Sequence, residues 1–417
     1  MTFRDIRKSR KWLSIEEIRL LLLAFVIIAG VFALNLYLAR ILPGREQLFL
    51  RWSGARAFLI EKIEPYSTTI AERTQNLAYG RHAFSSEYPF VLNDPFPILL
   101  FYVPLALFSD FTVVRAAWML ISEAALIGLI YSFIRSLEWE PPRWLLLALM
   151  TFGIFGYYSL VALGSGSPAI IMTLLFFAVI YSLHSFSDEL AGALLFLVAY
   201  QWEVSALFFL FVIVFAVVNR RWRIFYGFGM SLAIMFAISF LSYPEWTVPY
   251  FRGVLADWYR SSNLTFGHVM SALFPNVRFS IVYWTSLILG FVLFLEWLGA
   301  INSHYRHVVW TACLSLAVTP LMGFAIFPAN HVVLIPSLIL VAMLVWERWK
   351  KQRALFVGLI LLAAFVIPFI LYFQATRLYN NLLIVLPPIA TVIALYWMRW
   401  WAFRSPRLWF DQIGDRK

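Results

Sequence analysis

The chain has 417 residues and a formal net charge of +11, with 62% hydrophobic and only 13% charged residues. A soluble globular domain is about half apolar and about a quarter charged, so the composition excludes an ordinary soluble enzyme and indicates an integral membrane protein. The basic residues lie in short segments between apolar runs, as the positive-inside rule expects, and no nucleic-acid partner is expected from the charge.

Forty Phe, 18 Trp and 19 Tyr suit lipid-facing helices with aromatic belts. Apolar runs fall at roughly 20–39, 97–109, 112–134, 144–163, 168–183, 190–218, 223–241, 280–300, 308–327, 332–346, 354–374 and 381–401. A spanning helix needs about 20 residues, and most runs fit. The run 97–109 is short and holds Pro97 and Pro104. The run 190–218 is long and is interrupted by Gln201-Trp202-Glu203, so it reads as one tilted helix or a broken pair. The first run lacks a small-residue cleavage site and reads as an anchor rather than a signal peptide.

Basic clusters set the orientation. They are Arg4, Arg7, Lys8, Arg10 and Lys11, then Arg220, Arg221 and Arg223, then Arg348, Lys350, Lys351 and Arg353, and finally Arg399, Arg404 and Arg407. Placing all of them in the cytoplasm gives an even number of crossings, about 12, with both termini cytoplasmic in a multi-pass cell-membrane protein. Two loops, 40–96 and 242–279, then face outward, as does Pro328–His331. No internal repeat or linker divides the chain, which reads as one transmembrane domain over 1–417.

The external loops carry helical patterns. Leu48, Phe49, Trp52, Ala55 and Leu59 recur at helical spacing, with Arg51 and Arg56 between them, which predicts an amphipathic helix on the membrane surface. Residues 246–259 look similar, mixing Trp246, Tyr250, Phe251, Leu255, Trp258 and Tyr259 with Arg252 and Asp257. Phosphate-loop, HExxH, CxxC and GxSxG motifs are missing from the sequence. Gly164-Ser165-Gly166-Ser167 reads as a tight turn, and the lone Cys313 sits in an apolar run.

The remaining polar residues form a dispersed constellation: Phe49, Trp52, Gly54-Ala55-Arg56 and Pro65-Tyr66; Asp94-Pro95-Phe96-Pro97 and Pro104-Leu105; Asn263-Leu264-Thr265; and Thr319-Pro320 followed by Asn330-His331 and Pro336. In this order the chain resembles the GT-C membrane glycosyltransferases, and within them the polyprenyl-phosphate-mannose-dependent family eighty-seven. The resemblance implies an all-α, polytopic transmembrane bundle. It also implies transfer of mannose or another hexose from a polyprenyl-phosphate-linked donor to a lipid or cell-envelope glycan acceptor at the outer face. Membrane lipids are the surrounding partner, and neither a soluble cofactor nor a metal is implied. Two departures stand out. The family's loop-one Asp falls where this chain has Glu46, Gln47 and Leu48, and its Lys-Pro in the sixth run appears as Gln201-Trp202. Either Glu46 takes the acid role, or Asp94 or Glu87 does, or the chain is a non-catalytic relative.

The chemistry accounts for these residue types. A departing lipid phosphate needs cations or dipoles placed in advance; Arg51, Arg56, Arg252, Arg260 and His331 are the external candidates. An acceptor hydroxyl needs a general base within hydrogen-bond reach; Glu46, Asp94 and His331 are the candidate catalytic groups. Gln201, Glu203 and Asn263 are the remaining candidate substrate contacts, Asn263-Leu264-Thr265 reading equally as a glycosylation acceptor. Arg115, Glu123, Glu203 and Glu296 lie within apolar runs, where an ionisable group is functional by default or paired for packing. A transporter or lipid flippase is the rival class, although the polar residues gather outside rather than at mid-membrane.

Overall fold

The structure is a computed structural model and describes residues 15–84, 87–260, 265–274, 279–301, 303–374 and 376–403. The basic residues at 4–11, together with Arg404 and Arg407, lie outside the described residues. The described chain is all-helical, apart from one isolated bridge between Thr265 and Ala325.

The first part of the chain holds α1 (Ile15–Ile41), α2 (Glu46–Arg56), α3 (Thr68–Tyr79), the short turns α4 (Phe96–Leu99) and α5 (Val103–Ala106), and α6 (Phe111–Ser136). The middle holds α7 (Arg143–Phe155), α8 (Tyr157–Ser165), α9 (Ala169–His184), α10 (Asp188–Ala199), α11 (Trp202–Val218) and α12 (Arg223–Ser242). The rest holds α13 (Thr247–Arg260), α14 (Phe266–Leu273), α15 (Phe279–Ala300), α16 (Tyr305–Val318), α17 (Ile335–Arg348), α18 (Arg353–Phe373), α19 (Arg377–Trp397) and α20 (Arg399–Phe403). Among the described residues, seven helices are long and apolar enough to cross a membrane, or eight if the bent pair α7–α8 counts as one span. These are the helices of an integral membrane protein. Ala169–His184 and Trp202–Val218 are apolar but shorter.

Several breaks follow from the sequence. The run at 97–109 becomes α4 and α5, with Pro97 and Pro104 in their first turns, where proline's missing N–H is harmless. The run at 190–218 is a broken pair, parted at Tyr200-Gln201.

Contacts between helix ends sort them into two groups. One end gathers Arg306 with Glu347, Arg399 with Glu296, Arg221 with Asp188, Asn219 with Ile301, and Trp144 with Trp346. The other gathers the end of α1 with that of α8, both held by Arg115, the α10–α11 break with Asn330, and Tyr158 with Leu383. At this second end the two long loops meet: Tyr243 donates to Glu64 at 2.6 Å, and the Tyr66 and Tyr250 rings lie 6.2 Å apart.

Among the described residues there are two hydrophobic clusters. The larger fills the bundle around α16 and α17, and the smaller joins α2, the 92–106 segment, the start of α6 and Trp246. The expected surface position of 48–60 is therefore corrected. Leu48, Leu50, Trp52, Ser53, Gly54 and Ala55 are all buried in the smaller cluster, and the helix ends in a π turn, Ala57–Glu61. The helix at 246–259 keeps an open apolar stripe, with Val248, Phe251 and Leu255 exposed at helical spacing, as a helix lying in a lipid boundary would.

Helices α10 and α12 cross with backbone against backbone. A Cβ on Gly192 would sit 1.9 Å from the Ile224 carbonyl oxygen, and one on Gly227 would sit 2.0 Å from that of Glu189. Gly192→Ala and Gly227→Ala should each destabilise by about 1–3 kcal/mol through overpacking. Gly229→Ala, with open space around it, should be neutral or stabilising; thermal unfolding of the purified protein in detergent compares the three.

Candidate functional site

Helix α2 follows α1 after a four-residue turn, and Arg51 lies midway along it. It faces Asp94, whose neighbour Pro95 caps α4 with extended backbone. Arg51 Nε lies 2.8 Å from Asp94 Oδ2 and Nη2 donates to Oδ1 at 3.2 Å, with the two side chains only 15% and 7% exposed. Arg51 Nη1 also reaches the Gln47 carbonyl at 3.3 Å. Burial works against the guanidinium charge, but Asp94, Tyr102 and Tyr200 more than offset it and raise its pKa. The Tyr66 hydroxyl donates to the Asp94 backbone carbonyl at 3.0 Å. Burial first, and the Asp94 carboxylate second, push that phenol above its ordinary value, so it remains a donor.

Tyr200 carries this pair toward the bundle. It lies within electrostatic reach of Arg51 and Asp94 and packs against both hydrophobic clusters. The next residue, Gln201, donates through Nε2 to Asn330 Oδ1 at 3.2 Å, and His331 follows. Arg51, Asp94, Gln201 and His331 thus share one end of the molecule, along a line through Tyr200 and Asn330.

The sequence reading placed Pro328–His331 as an outward turn. Instead, these residues form a buried 3-10 segment, Pro328–Leu334, and His331 is 3% exposed. The reason lies in α19, which carries Pro387 and Pro388 inside it. A proline within a helix removes the hydrogen bond to the carbonyl four residues earlier, which frees Leu383 and Ile384. Tyr158 donates its hydroxyl to the Leu383 carbonyl at 2.8 Å, and the His331 ring lies close to the Ile384 backbone. The two rings meet edge to face at 5.0 Å. His331 Nε2 is buried and has no partner among the described residues.

His331 also lines a cavity of about 340 Å³ between α8, α17, α18 and α19. The lining is overwhelmingly apolar and extends from His331 and Tyr158 past Pro368 and Pro387 to Trp397, near the opposite end. Arg51 and Asp94 do not line it. A second cavity, of about 560 Å³, sits at the opposite end around the Arg221–Asp188 pair and holds none of the expected site residues.

Other candidates go elsewhere. Glu46 is half-buried at the start of α2, within electrostatic range of Tyr79 and Arg115 rather than beside Asp94. Arg56 donates to the Ala106 and Phe108 carbonyls at 3.1 and 3.2 Å, closing the end of α5. Glu87 sits in an exposed loop, gripped by both Arg81 nitrogens at 2.7 Å. That grip, with the Phe84 N–H, holds its carboxyl down at about 2, which makes it a poor proton acceptor at neutral pH. Glu203 is half-buried beside the α10–α11 break, within range of Tyr200. The Arg260 side chain and Asn263 lie outside the described residues. Sequence reasoning gave no role to Tyr102, Tyr158 or Tyr200; the tyrosine beside the Gln201 break and the Pro-Pro pair inside an apolar run were the available signals.

The charges within apolar runs hold the packing together. Asn35 donates to Glu123 at 3.0 Å, and Arg399 grips Glu296 with Nε and Nη2 at 2.9 and 3.0 Å. Arg115, 1% exposed, donates to four carbonyls: Ala39, Leu42, Pro43 and Gly164.

No protein-family model, characterised protein or solved structure matches this chain.

Arg115→Met should destabilise the protein by at least about 3 kcal/mol, since each buried carbonyl left without a donor costs about 1–3 kcal/mol. Glu123→Gln, whose amide oxygen can still accept from Asn35, should change stability by less than about 1 kcal/mol. Thermal unfolding in detergent, with the yield of monodisperse protein, measures both.

Proposed function

We propose that the protein is a membrane glycosyltransferase of GT-C type that moves a hexose from a polyprenyl-phosphate donor to a lipid or cell-envelope glycan acceptor. One observation carries this reading. His331, buried and with an unpartnered nitrogen, stands at the head of an apolar cavity at the same end of the bundle as the Arg51–Asp94 pair. An apolar cavity with a few convergent polar groups is the common form of a lipid or small-molecule site.

In this reaction the acceptor oxygen attacks the anomeric carbon while the bond from that carbon to the phosphate oxygen breaks. The prenyl phosphate leaves with the bonding electrons, and the acceptor proton passes to a base: Glu46, Asp94 or His331. A single displacement inverts the anomeric centre. Arg51 is the cation best placed for the phosphate. Its planar fork suits phosphate oxygens, and the surrounding burial strengthens each hydrogen bond.

The proposed topology has about 12 crossings with both termini cytoplasmic. It is supported by the alternation of helix ends between the two contact groups, and by Arg221, Arg306 and Arg399 all belonging to one of them. Cysteines introduced at Arg220 and Lys351 should then label only from the cytoplasmic face, and one at Glu72 only from the other; Cys313 is buried and should give no background.

A lipid flippase is the second reading, favoured by the depth of the apolar cavity from His331 to Trp397. Both are tested with purified protein in liposomes and a synthetic prenyl-phosphate hexose. Transfer of labelled hexose, reduced about 100-fold or more by Arg51→Gln, supports the transferase. Movement of the intact donor between leaflets with no new glycoside would replace it with the flippase.

A further inference from the structure

The cavity of about 560 Å³ at the end that gathers Arg221, Arg306 and Arg399 takes no part in the reaction proposed above. It lies where α9 and α11 end and where α10 and α16 begin. Its walls are mixed. Ile180, Leu183, Phe215 and Val308 make one part, and His184, Asp188, Asn219, Arg221 and Ser303 make the other. An opening of this size with a few convergent polar groups has the form of a ligand site.

Three of those polar groups hold unused bonding capacity. Arg221 binds Asp188 through Nε at 3.1 Å and through Nη2, and its Nη1 donates to the Leu183 carbonyl at 2.9 Å. A guanidinium has five N–H groups, so one remains on each Nη, on a side chain 14% exposed at the cavity wall. Asn219 Nδ2 donates to two carbonyls, Phe215 at 3.0 Å and Ile301 at 3.4 Å. Carbonyls only accept, which fixes the amide's orientation and makes Oδ1 its free end. That oxygen takes no bond among the described residues and is not sealed from solvent. The exposed His184 ring stacks on Tyr305 at 4.0 Å, and neither of its nitrogens has a hydrogen-bond partner among the described residues. Asp188 has both oxygens on Arg221, so it aims the guanidinium. Arg220, the preceding residue, is exposed and has no ion pair among the described residues.

The two turns beside the cavity keep large side chains where the backbone favours glycine. After α9, the Ser187 N–H returns to the Ser182 carbonyl at 2.9 Å; after α11, the Arg221 N–H returns to that of Ala216 at 2.8 Å. Each closes a helix end whose left-handed residue is commonly glycine. Here those residues are Phe186, with φ +57, and Arg220, with φ +55. Phe186 lines the cavity although 83% of it is exposed. Exposed Tyr181, Trp222 and Tyr226 flank the same turns, and such rings mark the headgroup level of a bilayer.

We propose that this cavity holds the phosphate headgroup of an anionic lipid from the leaflet at this end. The free edge of Arg221 and the Arg220 cation meet the phosphate oxygens, as arginine forks do. His184 adds an N–H, Asn219 Oδ1 accepts from a headgroup hydroxyl, and Phe186 with the apolar wall covers the glycerol and the first methylenes. Basic pockets between spanning helices are places where anionic headgroups bind. The Arg221–Asp188 pair is neutral by itself, so the preference for an anion falls to Arg220. The site stands at the opposite end from Arg51 and Asp94, and the proposal is independent of the transferase reading.

Binding is read as thermal stabilisation of the full-length protein, stripped of phospholipid and held in detergent. Dioleoylphosphatidylglycerol at a hundredfold excess over its dissociation constant should raise the melting temperature by about 3 °C or more, and dioleoylphosphatidylcholine should not. Arg220→Gly gives the turn the residue its shape favours. Without lipid it should melt at the same temperature or higher, yet need about tenfold more phosphatidylglycerol for half-maximal stabilisation. His184→Phe keeps the stack on Tyr305; it should leave the lipid-free melting temperature unchanged and weaken binding about threefold. No response to phosphatidylglycerol, an equal response to phosphatidylcholine, or an undiminished phosphatidylglycerol response in both variants would overturn the proposal. sn-Glycerol 3-phosphate separates the sources. Full stabilisation by it, lost in Arg220→Gly, would overturn the lipid and leave a soluble phosphate ester as the occupant; its failure beside a phosphatidylglycerol response supports the lipid.

Discussion

The carbonyls at the end of α1 have no helix left to bond to. In an apolar surrounding each would cost several kcal/mol. Arg115 resolves this. Buried in the first turns of α6, it donates to the last carbonyls of α1, to Pro43 in the following turn and to Gly164 at the close of α8. One guanidinium thereby ties three helices at a single level. Everything beyond that level depends on it, because α2 leaves directly from the tied turn. Leu48, one helical turn into α2, packs on Gly166, whose φ of +66 and close approach leave no space for a side chain. The position of Arg51 is inherited from this arrangement.

The second consequence is that the two external loops are not independent. Their helices share the smaller hydrophobic cluster, and Tyr243, Tyr250 and Trp246 from one loop pack around residues of the other. Helix α6 runs through both clusters, and Tyr200 joins them a second time. The break between α10 and α11 pushes this tyrosine against both clusters, and the next residue, Gln201, engages Asn330. A helix that ran through 190–218 without interruption would leave the Arg51–Asp94 pair with no polar connection to His331. The interruption in the hydrophobic pattern therefore places a polar link between the two clusters.

Breaks of this kind were legible in the sequence because they alter local periodicity. Pro97 and Pro104 in a short run and Gln201 in a long one both marked real ends, and the apolar stripe of α13 was visible as a helical repeat. Pairings were not legible. Arg51 and Asp94 are 43 residues apart, and nothing in either local pattern points to the other. The burial of α2 was also hidden. Its apolar residues looked like one face, but Ser53 and Gly54 on the other side are buried too, since Gly54 has Leu92 and Leu99 pressed against it. Close backbone approach leaves no hydrophobic signature. His331 was misplaced for the related reason that a short polar interval between two apolar runs normally marks an exit from the membrane.

What draws that interval inward is the backbone accounting that makes Arg115 necessary, run in the opposite sense. At the end of α1 a side chain is recruited because carbonyls are exposed by the helix terminus. In α19 the carbonyls of Leu383 and Ile384 are freed by Pro387 and Pro388 in mid-helix; Tyr158 takes the first, and the His331 ring lies close to the second. The Pro328–Leu334 segment packs inside beside them, with the His331 ring edge to face on Tyr158. The same prolines, with Pro368 in α18, keep α18 and α19 from closing along their length, and Pro368 and Pro387 line the cavity they border. The prolines thus lie both at the freed carbonyls and along the wall of the opening. Filling the opening with a lipid is then the least costly way to restore packing density, since an empty apolar cavity forfeits dispersion contacts along its whole wall.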